Sequence, residues 1–329
     1  MSRRGILLVN LGSPASPSAG DVRAYLREFL MDERVIDVPY LLRFVLVNFF
    51  VLPFRPKRSA EAYRSIWTTE GSPLVVTSRK VQRLLQNGMN APVALAMRYG
   101  SPSIESGIRE LLETPEHGVE EIMLVPLFPH YAMSTTEGIV TAARKALVST
   151  GSNVRMHVLP PFYDNAHYIR ALSDGIREYL DQGYDHLLFS YHGLPERHVK
   201  KADPTGRHCL RRDDCCVAPS KAHGTCYRHQ VMRTTELVAE KLGLEEGAYS
   251  VAFQSRLGRD KWLTPFAHSE IVRLAESGIK KLVVVCPSFV SDCLETLEEI
   301  GIQARRAFYS AGGEEFELIP CLNDDPLWI

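Results

Sequence analysis

The sequence predicts an α/β fold built twice over, each copy a parallel sheet with helices on both faces. Gly118 opens GVEEIMLVPLFPHYAMSTTEGI and Gly278 opens GIKKLVVVCPSFVSDCLETLEEI; both run glycine, charged pair, apolar strand, proline, aromatic, helix start. ILLVNLGSP from Ile6 and LLFSYHGLP from Leu187 match in the same way. These strands are continuous Val/Ile/Leu runs, the pattern of strands covered on both faces. A chain of 329 residues accommodates two such units.

In chain order, MSRRGILLVNLGS has too short an apolar run for a secretory leader and reads as the first strand of a cytoplasmic protein. NLGSP is neither G-x-G-x-x-G nor a P-loop, so nothing supports a nucleotide site. Val38 to Phe54 is the longest apolar stretch, interrupted by Arg43 and Asn48 and bracketed by Pro39 and Pro53. It falls short of the roughly 20 apolar residues that span a bilayer. A buried core helix fits it, and so does an exposed apolar lip against a membrane or an apolar ligand. VLPPFYDN is a Pro-rich crossover, which puts the first unit at 1–155 and the second at 156–305. The tail, 306–329, contains FELIPCLNDDPLWI and is apolar enough to pack back on the first unit. A net charge of −1, with 45% apolar and 23% charged residues, is that of an ordinary globular protein and offers no field for nucleic acid.

His192 ends the strand of HLLFSYHGLP, which places its imidazole at the sheet's C-terminal edge, where open α/β folds bind ligands. A histidine so placed is more often a hydrogen-bonded structural residue; the GLP turn that follows argues for an exposed ring. After the strand ending at Val285, α-helical spacing brings Asp292, Glu295 and Glu299 within about 60° of one another, with Val290, Leu294, Leu297 and Ile300 opposite. A solvated acidic face is the commoner meaning of such a stripe. Facing a cleft, the same carboxylates would share protons or a hard cation. Proton or metal chemistry at a sheet edge is therefore expected.

RHCLRRDDCCVAPSKAHGTCYRH gathers Cys209, Cys215, Cys216 and Cys226. In a cytosolic chain that density points to metal ligation rather than disulfides. Four thiolates suit Zn²⁺ or a [2Fe–2S] centre, and His208, His223 and His229 keep zinc as an alternative. Cys286 ends a buried strand and reads as core packing.

LLVNLGSP, YLREFLMDERVIDVP, RPKRSAEAYRSIWTTEGSPL, MRYGSPSIE, PLFPHYAMSTTE, SYHGLPERH, FQSRLGRDKWLTP, SDCLETLEEI and PCLND together resemble the ferrochelatase family over nearly the whole chain. The resemblance implies two Rossmann-like, chelatase-type domains with a porphyrin in the cleft between them. It implies a lyase inserting Fe²⁺ into protoporphyrin IX, the last step of haem biosynthesis. His192 and Glu295 match the family's metalation pair, with Asp292 and Glu299 as the acidic path beside Glu295. Arg98, Tyr99, Tyr131 and Ser134 match pocket positions contributed by the first domain. Val38 to Phe54 and Trp262 match the apolar lips of the pocket mouth, which moves the lip ahead of the buried helix and implies peripheral contact with the inner membrane. Cys293 stands where several relatives have histidine, a departure from the family's pattern at the position of an iron relay. Met133 and the lone tail cysteine, Cys321, exclude the animal-type cluster site. The insertion at about 200–230 instead matches bacterial members with an internal cluster, which implies a [2Fe–2S] centre on Cys209, Cys215, Cys216 and Cys226. Another tetrapyrrole chelatase, such as a coproporphyrin ferrochelatase, or a non-enzymatic two-domain iron–sulfur protein are the rival readings.

Overall fold

A computed structural model describes residues 4–113, 119–256, 258 and 260–329. Gly118, the expected opening of a repeat, lies outside the described residues, as do residues 1–3, Leu257 and Arg259. The first sheet contains β1 (Arg4–Asn10), β2 (Val93–Met97), β3 (Glu121–Pro126) and β4 (Arg155–Val158), all parallel, in the order β2-β1-β3-β4. The second contains β5 (His186–His192), β6 (Tyr249–Gln254), β7 (Lys281–Val285) and β8 (Glu315–Leu318), again parallel, in the order β6-β5-β7-β8. The two orders are the same permutation, so the repeated motifs mark a repeated topology.

Parallel neighbours need long crossovers, and helices supply them. Ile104–Leu112 returns the chain from β2 to β3, and Tyr227–Leu242 returns it from β5 to β6. The central strands read as unbroken apolar runs because both faces are covered: Leu187 and Phe189 join one core of the second unit, while Leu188, Leu282 and Val284 join the other.

The first unit ends at Pro160, and the second runs from Pro161 to Trp328, taking Phe128–Ala132 with it. Two expectations change. The tail does not belong with the first unit: Glu315–Leu318 is the fourth strand of the second sheet, paired with β7. Tyr131 belongs to the second unit as well. Its neighbour His130 is buried there, edge-on to Tyr191 and Tyr227, with Nε2 2.9 Å from Thr234 Oγ1.

Val38 to Phe54 forms two short helical segments, Tyr40–Val45 and Leu46–Val51, the second wound in the wider π form. Val47, Leu52 and Arg43 are buried; the Arg43 guanidinium donates to the carbonyls of Ile36 and Val38. Leu41, Phe49, Phe50 and Phe54 point outward, with Leu41 75% and Phe54 76% exposed. The segment is an anchored apolar lip rather than a core helix. No helix among the described residues is long and apolar enough to cross a membrane.

Candidate active site

β5 runs to its C-terminal edge through buried Leu187, Leu188, Phe189 and Tyr191, so His192 is delivered where the strand stops and the apolar cover ends. The ring is half-buried and lies edge-on to Phe289. Its Nδ1 is 2.7 Å from the Gly193 carbonyl oxygen. A carbonyl only accepts, so Nδ1 carries the proton and Nε2 presents a lone pair. The backbone is fixed with equal care. His192 N–H donates to Ser288 Oγ at 3.2 Å, and the Tyr227 hydroxyl donates to His192 C=O at 2.7 Å. Tyr227 and Ser288 oxygens are 2.8 Å apart. With the tyrosine proton committed to the carbonyl, Ser288 donates to Tyr227, and the three residues close a one-way ring of donors. Gly193 is required at this turn: a Cβ would lie 2.8 Å from Gln254 O and 3.2 Å from the Trp262 ring.

The same edge receives Glu295. Ser190 Oγ donates to Gln254 Oε1 at 2.8 Å, and Gln254 Nε2 donates to the Glu295 carbonyl at 2.8 Å. Buried Gln254, opposite His192 in the β5–β6 register, thereby ties the helix that bears Glu295 to the strand that bears His192. That helix, Glu295–Ala304, is π-helical, not α-helical as the spacing argument assumed, and π turns recur at functional sites. Glu299 accepts a short hydrogen bond from Ser255. Asp292 precedes the helix and sits apart from the expected stripe. Its carboxylate accepts from Thr296 Oγ1 at 3.1 Å, Asn323 Nδ2 at 2.7 Å and Cys321 N at 3.3 Å, so it holds the tail. Cys293 is buried beside Glu295, and burial together with that carboxylate keeps its thiol protonated.

In the first unit, Arg98 follows β2 and forms an ion pair with Asp32, which also accepts the Tyr99 hydroxyl at 3.0 Å. The Arg98 guanidinium lies 4.5 Å from the Tyr99 ring centroid. Tyr99 is buried beneath this pair, with its pKa raised by burial and by Asp32, so it supports Arg98 rather than offering a surface. Ser134 is half-buried in the π-helical turn Met133–Glu137. Trp262 is 8% exposed and packed over Gly193.

The cysteine-rich segment is also built in. Cys209, Cys215 and Cys226 are buried and Cys216 half-buried. The Cys226 thiol is within hydrogen-bond reach of Cys209 and of Cys216, which in turn reaches Cys215. Cys215 Sγ accepts from Leu210 N at 3.4 Å and Arg228 Nη1 at 3.8 Å. His208 and His223 both donate from Nε2 to the Cys215 carbonyl, at 2.7 and 3.0 Å, and His229 donates from Nδ1 to that of Cys216 at 2.7 Å. Burial would raise the Asp203 carboxyl, but hydrogen bonds from the Thr205 hydroxyl and from the backbone N–H groups of Cys209, His208 and Thr205 hold it well below the usual carboxylate range. Among the described residues, no three His, Cys, Asp or Glu side chains are arranged to hold a single metal ion.

Asp32, Tyr227, Gln254 and Ser288 are the structural residues that sequence reasoning passed over; Asp32 lay in the recognised stretch YLREFLMDERVIDVP and Gln254 in FQSRLGRDKWLTP.

A sheet-edge imidazole with a free Nε2, next to a carboxylate-bearing π-helix, is a site for taking up protons or a cation. Known proteins agree in architecture and in sequence. The fold is similar to SirB from Bacillus subtilis with Fe³⁺, with a TM-score of 0.53 at 12% identity over 99% of this chain and 90% of that one. It is also similar to the sirohydrochlorin chelatase SirB from Bacillus subtilis subspecies spizizenii in complex with cobalt, with a TM-score of 0.51 at 10% identity and the same coverage. The ferrochelatase of Pseudomonas fluorescens (strain Pf0-1) is 51% identical over 100% of this chain and 96% of its own. That of Azotobacter vinelandii is 50% identical with the same coverage. The ferrochelatase family model matches residues 3–329. With the whole chain matched at this level of identity, the protein belongs to the ferrochelatase family, the metal chelatases of haem biosynthesis.

Proposed function

We propose that the protein inserts Fe²⁺ into protoporphyrin IX to form protohaem, with His192 and Glu295 as the metalation pair. The observation that carries this reading is the His192 tautomer: Nδ1–H is spent on Gly193 O, leaving Nε2 as a base. A free-base porphyrin gives up two pyrrole N–H protons as one Fe²⁺ enters, so the products are haem and two protons. In this reading His192 Nε2 accepts the pyrrole protons one at a time. Glu295, with Glu299 behind it, guides the cation. Asp292 belongs to the same path only through its hold on the tail. Planar porphyrin hides its nitrogen lone pairs, so holding the ring distorted raises the rate. Arg98, Tyr131, Ser134 and Trp262 contact the macrocycle, and Tyr99 acts beneath Arg98. The substrate is tested anaerobically with Fe²⁺ and either protoporphyrin IX or coproporphyrin III. A kcat/KM at least about tenfold higher for protoporphyrin IX is expected, a difference of about 1.4 kcal/mol; a preference for coproporphyrin III would favour the coproporphyrin chelatase reading.

The cysteine segment fits a [2Fe–2S] cluster on Cys209, Cys215, Cys216 and Cys226. Four thiols joined in the chain Cys209, Cys226, Cys216, Cys215 would supply two ligands per iron, and N–H donors already aim at Cys215 Sγ, as they do at cluster sulfurs. Zinc is the alternative, since a histidine that donates one ring N–H to a backbone carbonyl keeps its other nitrogen as a ligand. When bound, such a group supplies a cross-link and one-electron chemistry. Purified protein is expected to carry about two irons and two acid-labile sulfides per chain, with sulfur-to-iron charge-transfer colour. Colourless protein with one zinc would replace the cluster by a structural zinc.

The anchored lip supports peripheral contact with the cytoplasmic face of the inner membrane. Each fully buried Phe or Leu contributes about 1.5–3 kcal/mol. Phe50→Ser combined with Phe54→Ser is therefore expected to cut co-sedimentation with phosphatidylethanolamine/phosphatidylglycerol vesicles at least about tenfold. Unchanged binding would remove the lip from membrane attachment.

A further inference from the structure

We propose that Tyr227 is a positioning residue through which the cysteine-rich segment sets the backbone of His192. Tyr227 is the first residue of the helix Tyr227–Leu242 and directly follows Cys226 in the chain. It is 5% exposed, and its hydroxyl closes the ring of donors with His192 C=O and Ser288. One turn on, fully buried Gln230 faces the segment and the loop after β3 together. Its Nε2 donates to the carbonyls of His223 and Gly224 at 3.0 and 3.1 Å, and its Oε1 accepts Tyr131 N–H at 2.7 Å. The following turn continues the pattern. Thr234 donates to Tyr163 O at 2.7 Å, and Thr235 lies 2.8 Å from the hydroxyl of Tyr191, the residue before His192.

One helix face thus carries four buried polar side chains, each bonded to a group outside the helix, where an apolar stripe would be the ordinary solution. Buried polar groups bonded at both ends are costly to leave half-satisfied, so the helix has one seat. Its first turn is fixed from one side by the cysteine segment and from the other by the His192 backbone. Ordering of Cys226 is therefore transmitted to the peptide that orients the His192 ring and its Nδ1–H bond to Gly193.

This inference deepens the reading of His192 as the metalation base, and His192→Ala tests that reading separately. Tyr227→Phe keeps the ring and removes the hydroxyl. In the protein as isolated, it is expected to lower kcat about tenfold, to leave the porphyrin KM within about twofold and to leave the absorbance of the cysteine segment unchanged. Combined with Cys226→Ser it is expected to be non-additive, the double variant being no slower than the slower single variant. A readout free of turnover is the imidazole ¹⁵N spectrum of histidine-labelled protein, where the His192 signal is the one lost in His192→Ala. Both Tyr227→Phe and Cys226→Ser should shift that signal. A Tyr227→Phe protein with wild-type kcat and an unmoved His192 signal overturns the relay, as do multiplicative losses in the double variant. Loss of turnover in His192→Ala alongside either result shows that only the relay has failed; wild-type turnover in His192→Ala removes the reading beneath it.

Discussion

His192→Ala is expected to lower kcat for iron insertion by about a thousandfold, the middle of the range for removing a positioned general base. Nδ1–H is held by Gly193 O, the peptide is clamped by Ser288 and Tyr227, and Nε2 is the ring nitrogen left uncommitted. Alanine leaves the clamp intact, since both clamping bonds are to the backbone. The fold and the porphyrin KM should therefore change little, which separates loss of a base from loss of structure. A steady-state comparison of kcat and KM checks this, and a fall of less than about tenfold would assign proton removal to another group.

The second large effect concerns Glu295. Glu295→Gln keeps the shape and the backbone bond from Gln254 but removes the charge. It is expected to reduce kcat/KM for Fe²⁺ by about a hundredfold or more, with the apparent KM for Fe²⁺ rising. Asp292→Ala gives the contrast. Its carboxylate binds Thr296, Cys321 and Asn323, so losing it strands a backbone N–H and an amide near the chain end. That variant should lose about 2–4 kcal/mol of stability while retaining the wild-type KM for Fe²⁺. Iron titrations and denaturant unfolding of the two variants check the division. An Asp292→Ala protein of normal stability with a raised KM for Fe²⁺ would return Asp292 to the iron path.

Much of the architecture was legible because apolar runs such as HLLFSYH and KLVVV are long enough to name buried strands without a partner in view. The edge strands were not. RMHV of β4 and EFEL of β8 alternate exposure along four residues, and nothing in so short a segment tells strand from loop. Missing β8 is what sent the tail to the wrong unit. Similarly, the apolar content of Val38 to Phe54 was plain, but its exposure depends on which side chains the buried Arg43, Val47 and Leu52 turn inward. His192 was visible as a polar residue ending an apolar strand. Tyr227 and Ser288 were not, because they act through bonds to the His192 backbone across 35 and 96 residues of sequence and carry no spacing signature. Glu295 and Glu299 were found with the wrong helical period. Residues four apart fall close together in either winding, whereas Asp292 lies before the helix.

The central claim, that this fold metalates a porphyrin through His192, is tested most directly by one anaerobic measurement. Purified wild-type and His192→Ala proteins are mixed with Fe²⁺ and protoporphyrin IX, and haem formation is followed by absorbance. Catalytic turnover by the wild type with loss of about three orders of magnitude in the variant is the expected result. No haem above the enzyme-free rate in the wild type, or equal rates in the two proteins, would contradict the account.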